Sequence, residues 1–173
     1  MTHLKSLFNF TKSTSATKTL LWSGLIAGNL DAIAGIIVYF IYFGLNPLQV
    51  LQFIASGIYG PSAINGGLFM VLAGLFFHFL IAYVAAIIYF SLSSKINLLS
   101  KYSVLAGLIF GLGIWLVMNL LVLPVSNIPK SPFDAGLATI GIIWHMILVG
   151  LPIAIITAGH FSQKKLKSKK INI

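Results

Sequence analysis

The chain contains no cysteine, no arginine and no glutamate, and its whole acidic complement is Asp31 and Asp134. Without thiols, disulfides, thiolate metal sites and cysteine nucleophiles are excluded. With two carboxylates, a paired-acid mechanism would have to join Asp31 to Asp134, which chain order sets well apart. Charge of any sign is scarce: 8% of 173 residues are charged, against about 25% in ordinary soluble domains. So few charges cannot clothe a water-facing surface, and a hydrophobic content of 58% excludes disorder. No His-Glu-x-x-His, phosphate-binding or dinucleotide motif occurs, no Ser-His-Asp trio is argued by spacing, and Gly66-Gly67 has no phosphate-binding context. Nothing supports catalysis.

What is present is apolar sequence, with a mean hydropathy of +1.01. These features define an all-α polytopic membrane protein. The net charge of +9 does not point to nucleic acid, because it sits in short flanking segments rather than on a folded face. Lys5, Lys12 and Lys18 before an apolar run, with Ala32-Ile33-Ala34 beyond, imitate a signal peptide. The apolar run continues through Ile36-Ile37-Val38-Tyr39-Phe40, so a retained spanning helix is expected.

Crossing about 30 Å of hydrocarbon takes roughly 20 apolar residues. Four spans fit: Leu20 to Phe43, Gly67 to Leu92, Ser103 to Leu123, and Gly136 to His160. They make one antiparallel four-helix domain over residues 20–160, with a tail at 1–19 and a basic tail at 161–173. Gly44, Pro47, Gly57, Gly60-Pro61 and Gly66-Gly67 punctuate the first connection. Within it, Asn46 before Pro47 signals the start of a short extra helix carrying Gln49, Gln52 and Ser56 as a polar stripe. That helix is too short to span and is expected to lie in the outer interface or to re-enter. Pro124 closes the third span, and the fourth begins after Pro129, Pro132 and Asp134.

Lysine placement orients the bundle. The N-terminal tail holds three lysines, the connection between the second and third spans holds Lys95 and Lys101, and the C-terminal tail holds Lys164, Lys165, Lys167, Lys169 and Lys170. Lys130 stands alone on the other side. Both termini are therefore expected in the cytoplasm, with the tail lysines placed to touch anionic lipid.

Lipid gives helices no hydrophobic reason to associate, so small residues must pack them. They share a face with polar residues in every span: Gly24, Gly28, Asp31 and Gly35; Gly67, Gly74, His78, Ala82 and Ala85; Gly107, Gly111, Trp115 and Asn119; Ala138, Gly141, His145 and Pro152. Asp31 falls near mid-membrane, and His78 and His145 differ in depth by about 3 Å on the helical rise. With Asn119, these residues form a candidate polar centre. The plainer reading makes each an interhelical hydrogen-bonding residue. Trp115 and Trp144 read as packing residues, Trp22, Tyr42 and Tyr102 as interfacial anchors, and His3 and His160 as solvated. Pro124 and Pro152 read as helix-end and kink devices.

Leu51-Gln52-Phe53-Ile54-Ala55-Ser56-Gly57 with Gly60, His78-Phe79-Leu80-Ile81-Ala82, and Met118-Asn119-Leu120 running into Leu123-Pro124-Val125-Ser126 resemble, as a set, small bacterial inner-membrane proteins of unknown function. The layout is similar to YagU-like four-span proteins over most of residues 20–160. The resemblance implies location and architecture and brings no activity.

Three functional readings stay open. A non-catalytic membrane module, with the polar residues as interhelical glue, ranks slightly first. Proton, ion or small-solute transport through Asp31, His78 and His145 comes next, and four helices make a thin pathway unless the chain forms a homo-oligomer. The third is haem binding with His78 and His145 as axial ligands. No other cofactor or metal is expected.

Overall fold

The computed structural model describes residues 15–130 and 132–171, with side-chain surroundings described as far as Ser162. His3, Lys5, Lys12 and the side chains of Lys164, Lys165, Lys167, Lys169 and Lys170 lie outside the described residues. Helix α1 is Ala16–Phe43, α2 is Pro47–Tyr59, α3 is Gly67–Lys95, α4 is Asn97–Lys101 and α5 is Ser103–Val117. After α5 the third span continues through a π-helical turn, Met118–Val122, into a last turn, Leu123–Val125. The fourth span is α6, Ala135–Trp144, a π-helical stretch, His145–Gly150, and α7, Leu151–Ile171. Four helical units, Ala16–Phe43, Gly67–Lys95, Ser103–Val125 and Ala135–Ser162, are long and apolar enough to cross a membrane. The chain is an all-α bundle and an integral membrane protein.

Local chemistry sets the ends. Ser15 caps α1 by accepting from the Lys18 amide at 3.3 Å, so the first span starts four residues before the expected Leu20. It stops at Gly44, whose φ of 66° is the left-handed conformation that glycine takes without steric cost. Asn46 and Gln49 form a reciprocal capping box at the start of α2, with Pro47 in its first turn. Asp134 caps α6 by accepting from the Leu137 amide at 2.7 Å. The fourth span runs on into the expected tail as far as Ile171.

Pro124 does not close the third span. The helix passes through it to Val125. Each π-helical stretch ends two residues before a proline: Val122 before Pro124, and Gly150 before Pro152. A proline ring clashes with the carbonyl four residues back and donates nothing to it, so a widened preceding turn relieves the conflict.

The first span packs against the second and fourth, the third packs mainly on the fourth, and α2 packs on the second span. Small side chains allow these approaches. A methyl at Gly107 would meet Ala154 Cβ at 2.8 Å, one at Gly111 would meet Met146 Cα at 2.6 Å, and Gly150 lies on the backbone of Gly107 and Gly111. Gly74 meets the Leu51 carbonyl of α2. The core holds Ala27, Ala85, Ala86, Tyr89, Val149, Ile153 and Ala154, while Phe40, Phe76, Leu105 and Ile143 face outward. A small-residue interior with large apolar side chains outside suits a lipid solvent.

Thr19 on the first span is hydrogen-bonded to His160 on the fourth at 3.3 Å, which brings the two ends of the described chain to one end of the bundle. His160 is therefore packed and bonded rather than solvated, with its ring also against Phe90. At the opposite end, Lys130 donates to the carbonyls of Leu123, Pro124 and Ser126, and Asn127 donates to those of Gly57 and Ile58. The turn after the third span is thereby tied to α2.

Candidate functional site

Asp31 lies midway along α1, on a stripe that repeats every fourth residue: Thr19, Ser23, Ala27, Asp31. The fourth span carries a matching stripe of His145, Val149, Ile153 and Thr157. Where these stripes reach mid-bundle, the second span contributes His78. His145 Nε2 lies 3.8 Å from Asp31 Oδ1, and His78 Nδ1 lies 4.0 Å from Asp31 Oδ2. The Trp144 indole N–H donates to Asp31 Oδ1 at 2.9 Å, and its ring stacks on His145 with the planes 19° apart. Three spans thus meet on one carboxylate.

The histidines are held by backbone carbonyls. His78 Nε2 is 2.8 Å from Gly28 O, and His145 Nδ1 is 2.7 Å from Gly141 O. A carbonyl only accepts, so each of these nitrogens carries the hydrogen. In a neutral imidazole the other nitrogen is then a bare lone pair. Both bare nitrogens face Asp31, which itself only accepts when ionised. With both rings neutral, the centre sets three acceptor groups around one donor, the Trp144 N–H. Separations of 3.8 and 4.0 Å are too long for direct hydrogen bonds and short enough for one water or a small rotation to bridge. The surroundings are mostly closed: the side chains of His78 and His145 are 10% and 14% exposed, and Asp31 is 26% exposed.

Three of the four residues expected at the polar centre come together there. Asn119 does not. Its amide donates to the Trp115 carbonyl one turn back, at 2.9 Å, on a span that packs mainly against the fourth. Trp144, read as a packing residue, proves to be the direct donor to Asp31. An indole N–H deep in a span needs an acceptor, and that rule marks Trp144 as a partner for an intramembrane acid. Trp115 does pack, with its indole against Gly141.

Asp31 lies between His78 and His145, in the interval that a haem would have to occupy, so the pair suits a shared carboxylate better than axial ligation. Among the described residues, no group of three or more His and Asp is placed to hold a metal ion. In α2, Gln49 completes the capping box, Gln52 donates to Gly67 O at 3.2 Å and Ser56 is buried, so the polar stripe is used in local structure and in fastening α2 to the second span.

No protein-family model, curated protein or solved structure matches this chain.

Proposed function

We propose that the chain is a small protein of the bacterial inner membrane, with cytoplasmic termini, that takes up and releases a proton at Asp31, His78 and His145. Movement of a proton, ion or small solute across the bilayer would be coupled to that exchange. One observation carries this reading: two imidazoles, each with one nitrogen committed to a backbone carbonyl, turn the other nitrogen toward one carboxylate. A carboxylate and two facing ring nitrogens are groups that can each hold a proton and pass it to a neighbour. Ionisable residues inside a membrane are costly and commonly mark ion paths. A homo-oligomer would widen a path that four helices keep thin, and the YagU-like resemblance agrees with the proposed location.

The test is proton flux in proteoliposomes loaded with a pH-sensitive dye. Asp31→Asn keeps the shape and an oxygen for Trp144 but removes the carboxylate. Full flux through this variant would sink the proposal.

A second reading, a non-catalytic module in which the same residues lock the spans together, is favoured by a different observation. His78 reaches across to Gly28 on the first span, and Trp144 reaches across to Asp31. Under that reading, loss of function in Asp31, His78 or Trp144 variants follows protein abundance alone.

A further inference from the structure

Beyond Asp31, on the side away from the Thr19–His160 end, two contacts join the first and fourth spans and the interval between them is open. At its base the Trp144 indole donates to Asp31. At its mouth, a methyl added to Gly136 would meet Tyr42 Oη at 3.4 Å and Asp134 Oδ1 at 3.2 Å. Asp31, Gly35 and Tyr42, spaced by four and seven residues, share one face of α1. Gly136, Ile140 and Trp144, each four apart, share one face of α6. Gly35 and Ile140 are thus the facing positions between the two contacts. A methyl added to Gly35 meets nothing within 4 Å, and Ile140 is 36% exposed. Asp31 to Tyr42 is about 16 Å of helix rise, so the interval runs from mid-bundle to the end of the span.

Toward the Thr19–His160 end the packing is closed. Ala27, one turn from Asp31 on the same stripe, is 0% exposed, as is Ile153 on the fourth span. The backbone contacts follow the same division: the first span packs on His145–Gly150 and α7, whereas α6 packs on the third span. Asp31 stands where the closed and open regions meet, and its side chain is 26% exposed.

We propose that the space between Gly35 and Ile140 is the route by which a proton or small hydrated cation reaches Asp31 from the Asp134 end. The charges select that class of ligand. The two carboxylates of the chain stand at the two ends of the interval, and neither facing stretch, 31–42 or 134–144, carries a lysine. Lys130, the lysine nearest the mouth in sequence, holds its ammonium on the carbonyls of Leu123, Pro124 and Ser126. A passage with low-dielectric walls and charge of one sign concentrates the opposite charge within it. Gly35 is the residue that keeps the passage clear. This inference rests on the reading of Asp31 as a proton-exchanging group, and it adds the side of access and the residue that controls it.

The chain has no native cysteine, so a single introduced thiol reports on its own position. Full-length Gly35→Cys and Ile140→Cys in sealed vesicles are treated from one side with a small, membrane-impermeant, cationic thiosulfonate. Exposed Ser62→Cys and Ser94→Cys, at opposite ends of the bundle, tell which end faces the reagent, and Ala27→Cys and Ile153→Cys serve as buried references. Gly35→Cys and Ile140→Cys should react from the Ser62 side within about tenfold of Ser62→Cys, because a thiolate forms and reacts where water reaches it. Rates no faster than those of the buried references, as a lipid-filled space would give, would overturn the proposal, and so would reaction from the Ser94 side alone. Once modified, Gly35→Cys should lose at least about tenfold of its proton flux, and unchanged flux would also overturn the route. The labelling is independent of proton exchange. Labelled Gly35→Cys beside full flux in Asp31→Asn would reject the proposed function and keep the opening, whereas unlabelled Gly35→Cys beside lost flux in Asp31→Asn would reject the route alone.

Discussion

At Asp31 shape and charge can be separated. Trp144 donates to Oδ1, a role that the amide oxygen of asparagine also fills. Asp31→Asn should therefore leave thermal stability in detergent within about 1 kcal/mol of the parent, while proton flux falls at least about tenfold. Asp31→Leu removes the acceptor as well and leaves the indole N–H buried with nothing to bond, at a cost of about 1–3 kcal/mol. Flux and stability should part company in the first variant and fall together in the second. Comparable flux loss per unit of lost stability in both would favour the interhelical lock. Trp144→Phe gives the complementary measurement. It removes the indole donor to Asp31 and keeps an aromatic ring against His145, so flux should fall while the protein still assembles, which a lock alone would not produce. Sequence spacing was enough to single out Asp31, His78 and His145, because an ionisable residue in a span is rare and its depth follows from helix rise. Spacing could not orient side chains. Asn119 shares the small-residue face of its span, yet its amide turns back to Trp115 O, and the helix it rides on lies beside the fourth span rather than the first.

The tightest contact between elements is the crossing of the third and fourth spans, where Gly107, Gly111 and Gly150 bring backbone onto backbone. A methyl at Gly111 would sit against the His145 carbonyl and 2.6 Å from Met146 Cα, and neither can swing away as a side-chain tip can. Gly111→Ala and Gly150→Ala should each destabilise the bundle by about 1–3 kcal/mol. Gly113 is the internal control: it lies two residues along the same helix, and an added methyl there meets nothing within 4 Å. Gly113→Ala should be neutral or stabilising by up to about 1 kcal/mol, from helix propensity alone. Equal losses at Gly111 and Gly113, read by unfolding in detergent, would contradict this crossing. The spans themselves were legible to within a few residues because length and hydropathy suffice for that. The misplaced ends have local causes: Ser15 starts α1 early, and the third span absorbs Pro124 instead of stopping. The widened turns before Pro124 and Pro152 left no hydropathy signal, since they alter backbone hydrogen bonding and not composition. The second of them begins at His145, so the proline two residues beyond its end helps to set where that ring points.

Considered whole, the molecule distributes its charge by end. The N-terminal tail, the Lys95–Lys101 connection and the C-terminal tail hold ten lysines, and the opposite end holds Lys130. The Thr19–His160 hydrogen bond is consistent with that grouping, because it draws the first and fourth spans together at the lysine-rich end. Lys130 is also occupied: its ammonium donates to the carbonyls of Leu123, Pro124 and Ser126, which are groups a helix leaves unsatisfied at its C-terminus. It thus acts as a cap for the third span and leaves the opposite end with little free positive charge. Short-loop lysines hold an end of a bundle in the cytoplasm, so the bias should survive partial neutralisation. Replacing Lys164, Lys165, Lys167, Lys169 and Lys170 by glutamine still leaves five lysines at that end against Lys130. A green fluorescent protein fused to the C-terminus should therefore fluoresce in both the parent and this variant, and alkaline phosphatase placed after Lys130 should be active in both. The same replacement should weaken binding of the purified chain to anionic vesicles and flatten its dependence on salt, because those five charges have no carboxylate partner available in the sequence beyond Asp31 and Asp134. An active phosphatase at the C-terminus of the parent chain would invert the orientation, and with it the side on which the Thr19–His160 end of the bundle lies.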